Sequence, residues 1–375
     1  MGHGTLTSRR NALRLLVGTA AVTALGGAVA GCASGSPAAA AGSGRLRIAL
    51  ANSYIGNSWR IEMENLWKAA LRMEPYASQV TGLIYNSNNN LRDQSEQLSA
   101  LISLGVDAIC LNAASPTALN GMVEQAAKRG ILVVSFDNTV TAPSAISVNT
   151  DQIAFGTQGA EYLARMLGGQ GNVIMVTGVP GTTVDTQRNQ GAEEVWRRNP
   201  GIKVVNRFAG MWDSSVAQKN TAAVIASLPR IDGVWSQGGT DGVLKAFQAA
   251  GRPLPATVGE SENGFRKYLA GVPGYPKVYG LSLAQPPYLS VAALELARQV
   301  LRNEAPRRNV VIAVPTVTDQ TVQLGTTVFP SVPDNFFSGI TDTNPDPVVT
   351  MCLDAALTGN PCGSHLVVRL PEDRR

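Results

Sequence analysis

Histidine is almost absent from this chain: 375 residues hold two, His3 and His365. A Ser-His-Asp or Cys-His catalytic unit cannot be assembled from one histidine at each end, and neither can a histidine-rich metal site. No catalytic residue, metal or cofactor is therefore expected. Charge of one sign is also lacking. The chain carries 31 Lys and Arg against 27 Asp and Glu, and three of those cations (Arg9, Arg10, Arg14) lie in the first 31 residues, which contain no acid. The remainder of the chain is close to neutral and has no basic cluster, which argues against a nucleic-acid partner. The stretch Gly178-Val179-Pro180-Gly181-Thr182-Thr183 lacks the lysine and the spacing of a phosphate loop. The longest apolar run, Leu15 to Ala30, is too short and too rich in Gly and Ala to span a bilayer well.

That run has another use. Ser8-Arg9-Arg10-Asn11-Ala12-Leu13-Arg14 places positive charge before it, and Val29-Ala30-Gly31-Cys32 closes it with small residues and a cysteine. The layout is that of an export signal, and the cysteine resembles the lipobox of bacterial lipoproteins. The resemblance implies cleavage before Cys32 and a lipid on its thiol, so that residues 1–31 are a signal peptide. The paired arginines also resemble a twin-arginine signal, although Ala12 stands where a larger apolar residue is usual. Residues 32–44 are small and nearly uncharged, and read as a flexible tether.

Cysteine is scarce as well, with four in all. Cys110, inside Val106-Asp107-Ala108-Ile109-Cys110-Leu111-Asn112, reads as an inert residue of a buried strand. Cys352 and Cys362 are close enough in sequence to bridge in an oxidising compartment, or to stand as two free thiols, since spacing alone does not fix geometry.

Hydrophobic residues make up 44% of the chain, ample for real cores. From residue 45 short apolar runs alternate with helical patterns. Leu46–Ala51, Val80–Tyr85, Val106–Leu111 and Ile131–Phe136 are expected strands, with helices over about Ser58–Met73, Leu91–Leu104 and Ala118–Arg129. The rhythm resumes at Asn172–Thr177, Ile202–Phe208, Asp232–Ser236, Ala256–Gly259 and Val278–Leu283. Gly105, Gly130 and Gly251 sit where left-handed helix caps belong. This alternation implies an α/β fold with parallel sheets covered by helices on both faces, in two similar lobes. The tail from Phe329 to Arg375 departs from it. One helix is expected there, with Asp346 as N-cap, Pro347 in the first turn and Gly359 past its end.

Polar residues gather at the carboxyl ends of the expected strands, where ligands of such sheets bind. Asn52-Ser53-Tyr54, Asn86-Ser87-Asn88, Asn112, Asp137-Asn138, Gln237 and Glu260 recur at nearly every one. Asp137 and Glu260 can accept bonds from neighbouring hydroxyls, Arg188 donates in a planar fork, and Asn138 and Gln285 do both. Trp59 and Trp212 can cover the C–H face of a ring, although either taken alone reads more readily as a core or surface aromatic.

Over about residues 45–325 the chain resembles the periplasmic sugar-binding proteins of the ribose-binding type, which feed ABC importers. The resemblance rests on Asn57-Ser58-Trp59 after the first strand and on Asp137 ending the fourth. It continues with Gly181-Thr182 followed by Arg188-Asn189-Gln190-Gly191, then Trp212-Asp213, Glu260 after Val258-Gly259, and Gln285 in Ala284-Gln285-Pro286. It implies a type I periplasmic-binding-protein fold: two Rossmann-like lobes joined by a three-stranded hinge. The lobes would be residues 45–149 with 284–313, and 150–283 with 314–328, followed by an extension over 329–375 wrapped on one lobe. The implied ligand set is Asn57, Trp59, Asp137, Asn138, Arg188, Trp212, Gln237, Glu260 and Gln285. Implied partners are a monosaccharide or polyol, the ABC permease subunits, and the membrane through the Cys32 lipid; the protein would act outside the cytoplasm as a monomer. Asn138 stands where the family often has Arg, and Glu260 where it often has Asp, so one positive charge is missing and ribose itself is in doubt. A ligand-presenting sensor for a membrane receptor and a glycosidase-like pairing of Asp137 with Glu260 are the alternatives. A sugar-responsive repressor would need a helix-turn-helix where the export signal stands.

Overall fold

The computed structural model describes residues 44–344 and 348–371. The expected signal, Cys32 and most of the tether lie outside them, as do Asp346 and Pro347.

The chain opens with β1 (Leu46–Asn52), α1 (Ser58–Ala70), the short α2 (Tyr76–Gln79), β2 (Val80–Asn86) and α3 (Leu91–Leu104). Next come β3 (Ala108–Asn112), α4 (Asn120–Lys128), β4 (Leu132–Phe136) and β5 (Ile146–Thr150). A second series begins with α5 (Gln152–Met166), β6 (Gly171–Thr177), α6 (Thr183–Arg198), β7 (Ile202–Ala209) and α7 (Ser214–Ile225). It continues through β8 (Gly233–Ser236), α8 (Thr240–Ala249), β9 (Ala256–Glu260), α9 (Asn263–Ala270) and β10 (Gly280–Leu283). The last elements are α10 (Leu289–Leu301), β11 (Val310–Ile312), β12 (Thr316–Thr318), a 3-10 turn at Ser338–Thr341 and α11 (Leu353–Thr358).

Two six-stranded sheets result, ordered β11-β5-β4-β3-β1-β2 and β12-β10-β9-β8-β6-β7. Every residue of β3 and of β4 is buried, because helices cover both faces and leave no solvated side to select alternation. On the first sheet Ile48 and Leu50 face a core built with α1 and α10, while Ala49 and Ala51 face α3 and α4. On the second, α5 and α6 cover one face, and α7 and α8 the other. All pairings between these strands are parallel except that of β12, which runs antiparallel to β10. This departs from the purely parallel expectation, because β12 comes after a short crossover rather than a helix. Gly105, Gly130 and Gly251 all have positive φ, at +65°, +77° and +64°.

The chain passes between sheets after β5, after β10 and between β11 and β12. Three crossings thus join the two sheets, the number expected of the hinge.

The tail differs from its sequence reading. Its helix begins at Leu353 with Cys352, not Asp346, in the cap position, and ends at Gly359 with φ +78°. Cys352 and Cys362 form a disulfide with Cα atoms 5.7 Å apart. The tail is not confined to one lobe. Phe336, Ile340, Val349 and Ala355 enter the first sheet's core, while Asp342 makes a two-point ion pair with Arg266 of α9 at 2.6 and 2.7 Å.

Candidate functional site: a cavity at the hinge

The carboxyl ends of both sheets face one cavity of about 410 Å³, and all nine residues of the implied ligand set line it. Their surroundings divide them into distinct roles.

Asp137 has φ +54°, a left-handed conformation that a non-glycine residue holds only when its neighbours over-determine it. They do so here. Asn112 and Asn138 donate to its Oδ2 at 3.0 Å each, Gln285 donates to its Oδ1 at 3.0 Å, and Asn149 donates to its carbonyl at 2.8 Å. Arg60 Nη2 stands 3.3 Å from the same Oδ2. The positive charge missing at Asn138 is therefore supplied by Arg60 of α1. Burial lowers the Arg60 pKa, and the Asp137 charge opposes that shift.

Arg188 is 1% exposed. Its Nε donates to Gln152 Oε1 at 2.8 Å, and its Nη1 donates to the Gln237 carbonyl at 3.0 Å and to Glu260 Oε2 at 2.9 Å. The guanidinium lies 3.6 Å from the Phe155 ring centroid, a stacked arrangement suited to a planar cation. Its position depends on close packing of α5 on α6. A Cβ at Gly156 would fall 2.0 Å from the Arg188 carbonyl oxygen, and one at Gly191 2.2 Å from that of Ile153.

Gln285 closes a ring across the hinge. Its Oε1 accepts from Gln152 Nε2 at 2.8 Å and from Thr150. Gln152 accepts from Arg188, Arg188 donates to Glu260, and Glu260 Oε1 accepts from the Gln285 backbone N–H at 2.8 Å. Ser261 adds backbone and hydroxyl contacts to the same Oε1 at 3.2 and 3.4 Å. Asp137 and Glu260 thus each keep one oxygen holding a single bond, and Arg188 Nη2 has no partner among the described residues. Spare acceptors beside a spare guanidinium donor complement vicinal hydroxyls.

The other residues are placed less directly. Asn57 caps α1, accepting from Arg60 N at 2.9 Å. Trp59 is buried in the first core and donates to the Gln285 carbonyl at 2.6 Å, so its indole N–H is already committed. Gln237 turns its amide away to Asp185 Oδ1 at 3.0 Å and Asn189 Oδ1 at 2.9 Å, which makes it a positioning residue. Burial raises the Asp185 pKa, against lowering by hydrogen bonds from Gly178, Asn189 and Gln237. Trp212, at φ +53°, is half-buried and lies so close to Gly178 that a Cβ there would meet its ring at 2.2 Å. Asn138 reaches across the mouth, accepting from Val184 N at 3.5 Å, and Thr183 Oγ1 donates to the Thr139 carbonyl at 3.1 Å beside it. The lobes are in contact there.

Sequence reasoning missed Arg60, Gln152, Asp185 and Phe337. Arg60 is three residues past a helix cap and Gln152 two past a strand end, so position offered a signal for both. Phe337, far from any strand end, had none.

Two sheets joined by three crossings, with a polar cavity at their facing carboxyl ends, define a two-lobed solute-binding protein. Residues 48–305 match the periplasmic binding protein domain family, and the chain belongs to it. That family works outside the cytoplasm and binds solutes rather than transforming them. A xylitol-binding protein of Mycolicibacterium smegmatis is 29% identical over 249 residues, covering 64% of this chain and 70% of that protein. The crystal structure of an ABC transporter solute-binding protein from Thermobispora bispora superimposes with a TM-score of 0.70 at 26% identity, covering 86% of this chain and 99% of that one. A solute-binding protein from Bacillus halodurans with bound myo-inositol shares the fold, with a TM-score of 0.66 at 20% identity over 75% of this chain and 96% of that one.

Proposed function

We propose that the protein captures a neutral monosaccharide or polyol between its lobes and delivers it to an ABC importer, held at the outer face of the membrane by a lipid on Cys32. The observation that carries this reading is the ring linking Gln285, Gln152, Arg188 and Glu260. It joins the hinge to the spare hydrogen-bonding groups, so a ligand held by them also stabilises the closed arrangement over an open one. A hydrogen bond to a charged group is worth about 1.5–3 kcal/mol. Four such bonds offset the cost of ordering and reach micromolar affinity, about −8 kcal/mol. Relatives that bind xylitol or myo-inositol support a polyol as readily as a ring sugar.

The test is isothermal calorimetry with xylitol, D-ribose, myo-inositol and D-glucose, with tryptophan fluorescence read in parallel. Trp67, Trp196 and Trp235 are buried in the cores, so a ligand-dependent change should come from Trp59 and Trp212 on the wall and shrink in Trp212→Phe. Absence of binding by any sugar or polyol would refute the reading.

A further inference from the structure

One wall residue of the cavity comes from the chain beyond the last strand. Phe337 lies nineteen residues past the last strand, as β12 ends at Thr318, and it is beyond the region matched to the family, which stops at residue 305. The residue lines the cavity, packs in the first sheet's core and is 6% exposed.

Phe337 is held from two sides. Its backbone N–H donates to Glu62 Oε1 of α1 at 3.0 Å, one turn from Trp59 and Arg60. On the other side the segment bridges antiparallel beside Glu262. Asn263 N donates to the Phe336 carbonyl at 2.7 Å, and Ser338 N donates to the Ser261 carbonyl at 2.9 Å. The backbone at Phe337 is thereby fixed relative to Glu260, two residues before that bridge, and to α1, which carries Arg60. The flanks hold it in place. Asn263 Nδ2 donates to the carbonyls of Phe329 and Val332 at 2.8 and 2.9 Å, and Arg266 pairs with Asp342.

We infer that Phe337 is a ligand-contacting, specificity-determining residue, delivered to the cavity by the C-terminal extension. This rests on the proposed capture of a sugar or polyol. An aromatic wall covers a C–H face and limits the size of what fits against it. Pocket-size discrimination of this kind spans roughly 10- to 200-fold.

The experiment compares dissociation constants for xylitol, D-ribose, myo-inositol and D-glucose in the wild type, Phe337→Ala, Phe337→Leu and Asp334→Asn. Asp334 secures the same segment through Lys245 and Lys267 but is not part of the wall. Phe337→Ala should weaken the best-bound compound about tenfold and shift its ratio to the larger probes at least about fivefold. Phe337→Leu should shift that ratio less, and Asp334→Asn should leave it unchanged. Constant ratios in both Phe337 variants, or an equal shift in Asp334→Asn, would overturn the assignment while leaving the proposed function intact. Failure of the wild type to bind any probe would overturn both.

Discussion

Arg60 and Asp137 form a buried ion pair, Nη2 to Oδ2 at 3.3 Å, between the first helix of one lobe and the end of its fourth strand. The pair brings a positive charge to the neighbourhood of Asn138, where the family often has an arginine. The guanidinium arrives from the opposite flank, and its Nη1 is held by Asn52 and Ser53. Asp137 is then a charged acceptor locked in a left-handed conformation before any ligand arrives.

Removing one partner of a buried pair strands the other, at about 3–5 kcal/mol. Arg60→Met should therefore destabilise the protein by about 3 kcal/mol in urea denaturation. Arg60→Met combined with Asp137→Asn should recover at least about half of that. Binding should not recover with stability: the double variant loses about two charge-assisted bonds, roughly a hundredfold in affinity. A double variant as unstable as Arg60→Met would show that the pair is not what couples these residues.

Arg188→Lys tests the fork. One ammonium cannot meet Gln152, the Gln237 carbonyl and Glu260 together while stacking on Phe155. Calorimetry should show affinity reduced about 10- to 100-fold, with the charge preserved. Wild-type affinity in this variant would mean that charge alone, not the planar geometry, holds the ring.

The parts of the molecule legible in its sequence are those set by local pattern. β3 and β4 read correctly because full burial demands continuous apolar runs, and Gly105 because a left-handed cap leaves a recognisable residue. The polar strand ends were legible because parallel sheets expose only their termini, and the structure gathers all nine residues around one cavity. The orientation of side chains was not. Gln237 lies where expected but points its amide at Asp185 and Asn189, a choice made by α6 packing over it. Phe337 and the two-lobe seating of the tail depend on long-range contacts, such as Asn263 with Phe329 at a separation of 66 residues and Glu62 with Phe337 at 275, and no periodicity encodes them. Arg60 was hidden because an arginine on an amphipathic helix reads as solvated until the strand beside it is placed.

Glu262 gives the protein a pH signature. It is buried beside Gly239, whose N–H donates to its Oε1, while its Oε2 has no partner among the described residues. Burial, then the charges of Asp241 and Glu260, raise its pKa from 4.5 to about 8. The folded protein therefore keeps a proton on Glu262 that the unfolded chain releases near 4.5. The stabilisation from that proton is complete below the unfolded value and is lost as pH rises through about 8. Glu262→Gln keeps an acceptor for Gly239 and cannot ionise. Urea denaturation between about pH 5 and pH 9 should find the variant gaining on the wild type as pH rises, with the difference levelling once Glu262 is fully charged. Gly239 comes directly after Gln237 and Gly238 on the cavity wall, so wild-type affinity should fall over the same range and that of Glu262→Gln should not. Parallel stability curves for the two proteins would place the proton elsewhere.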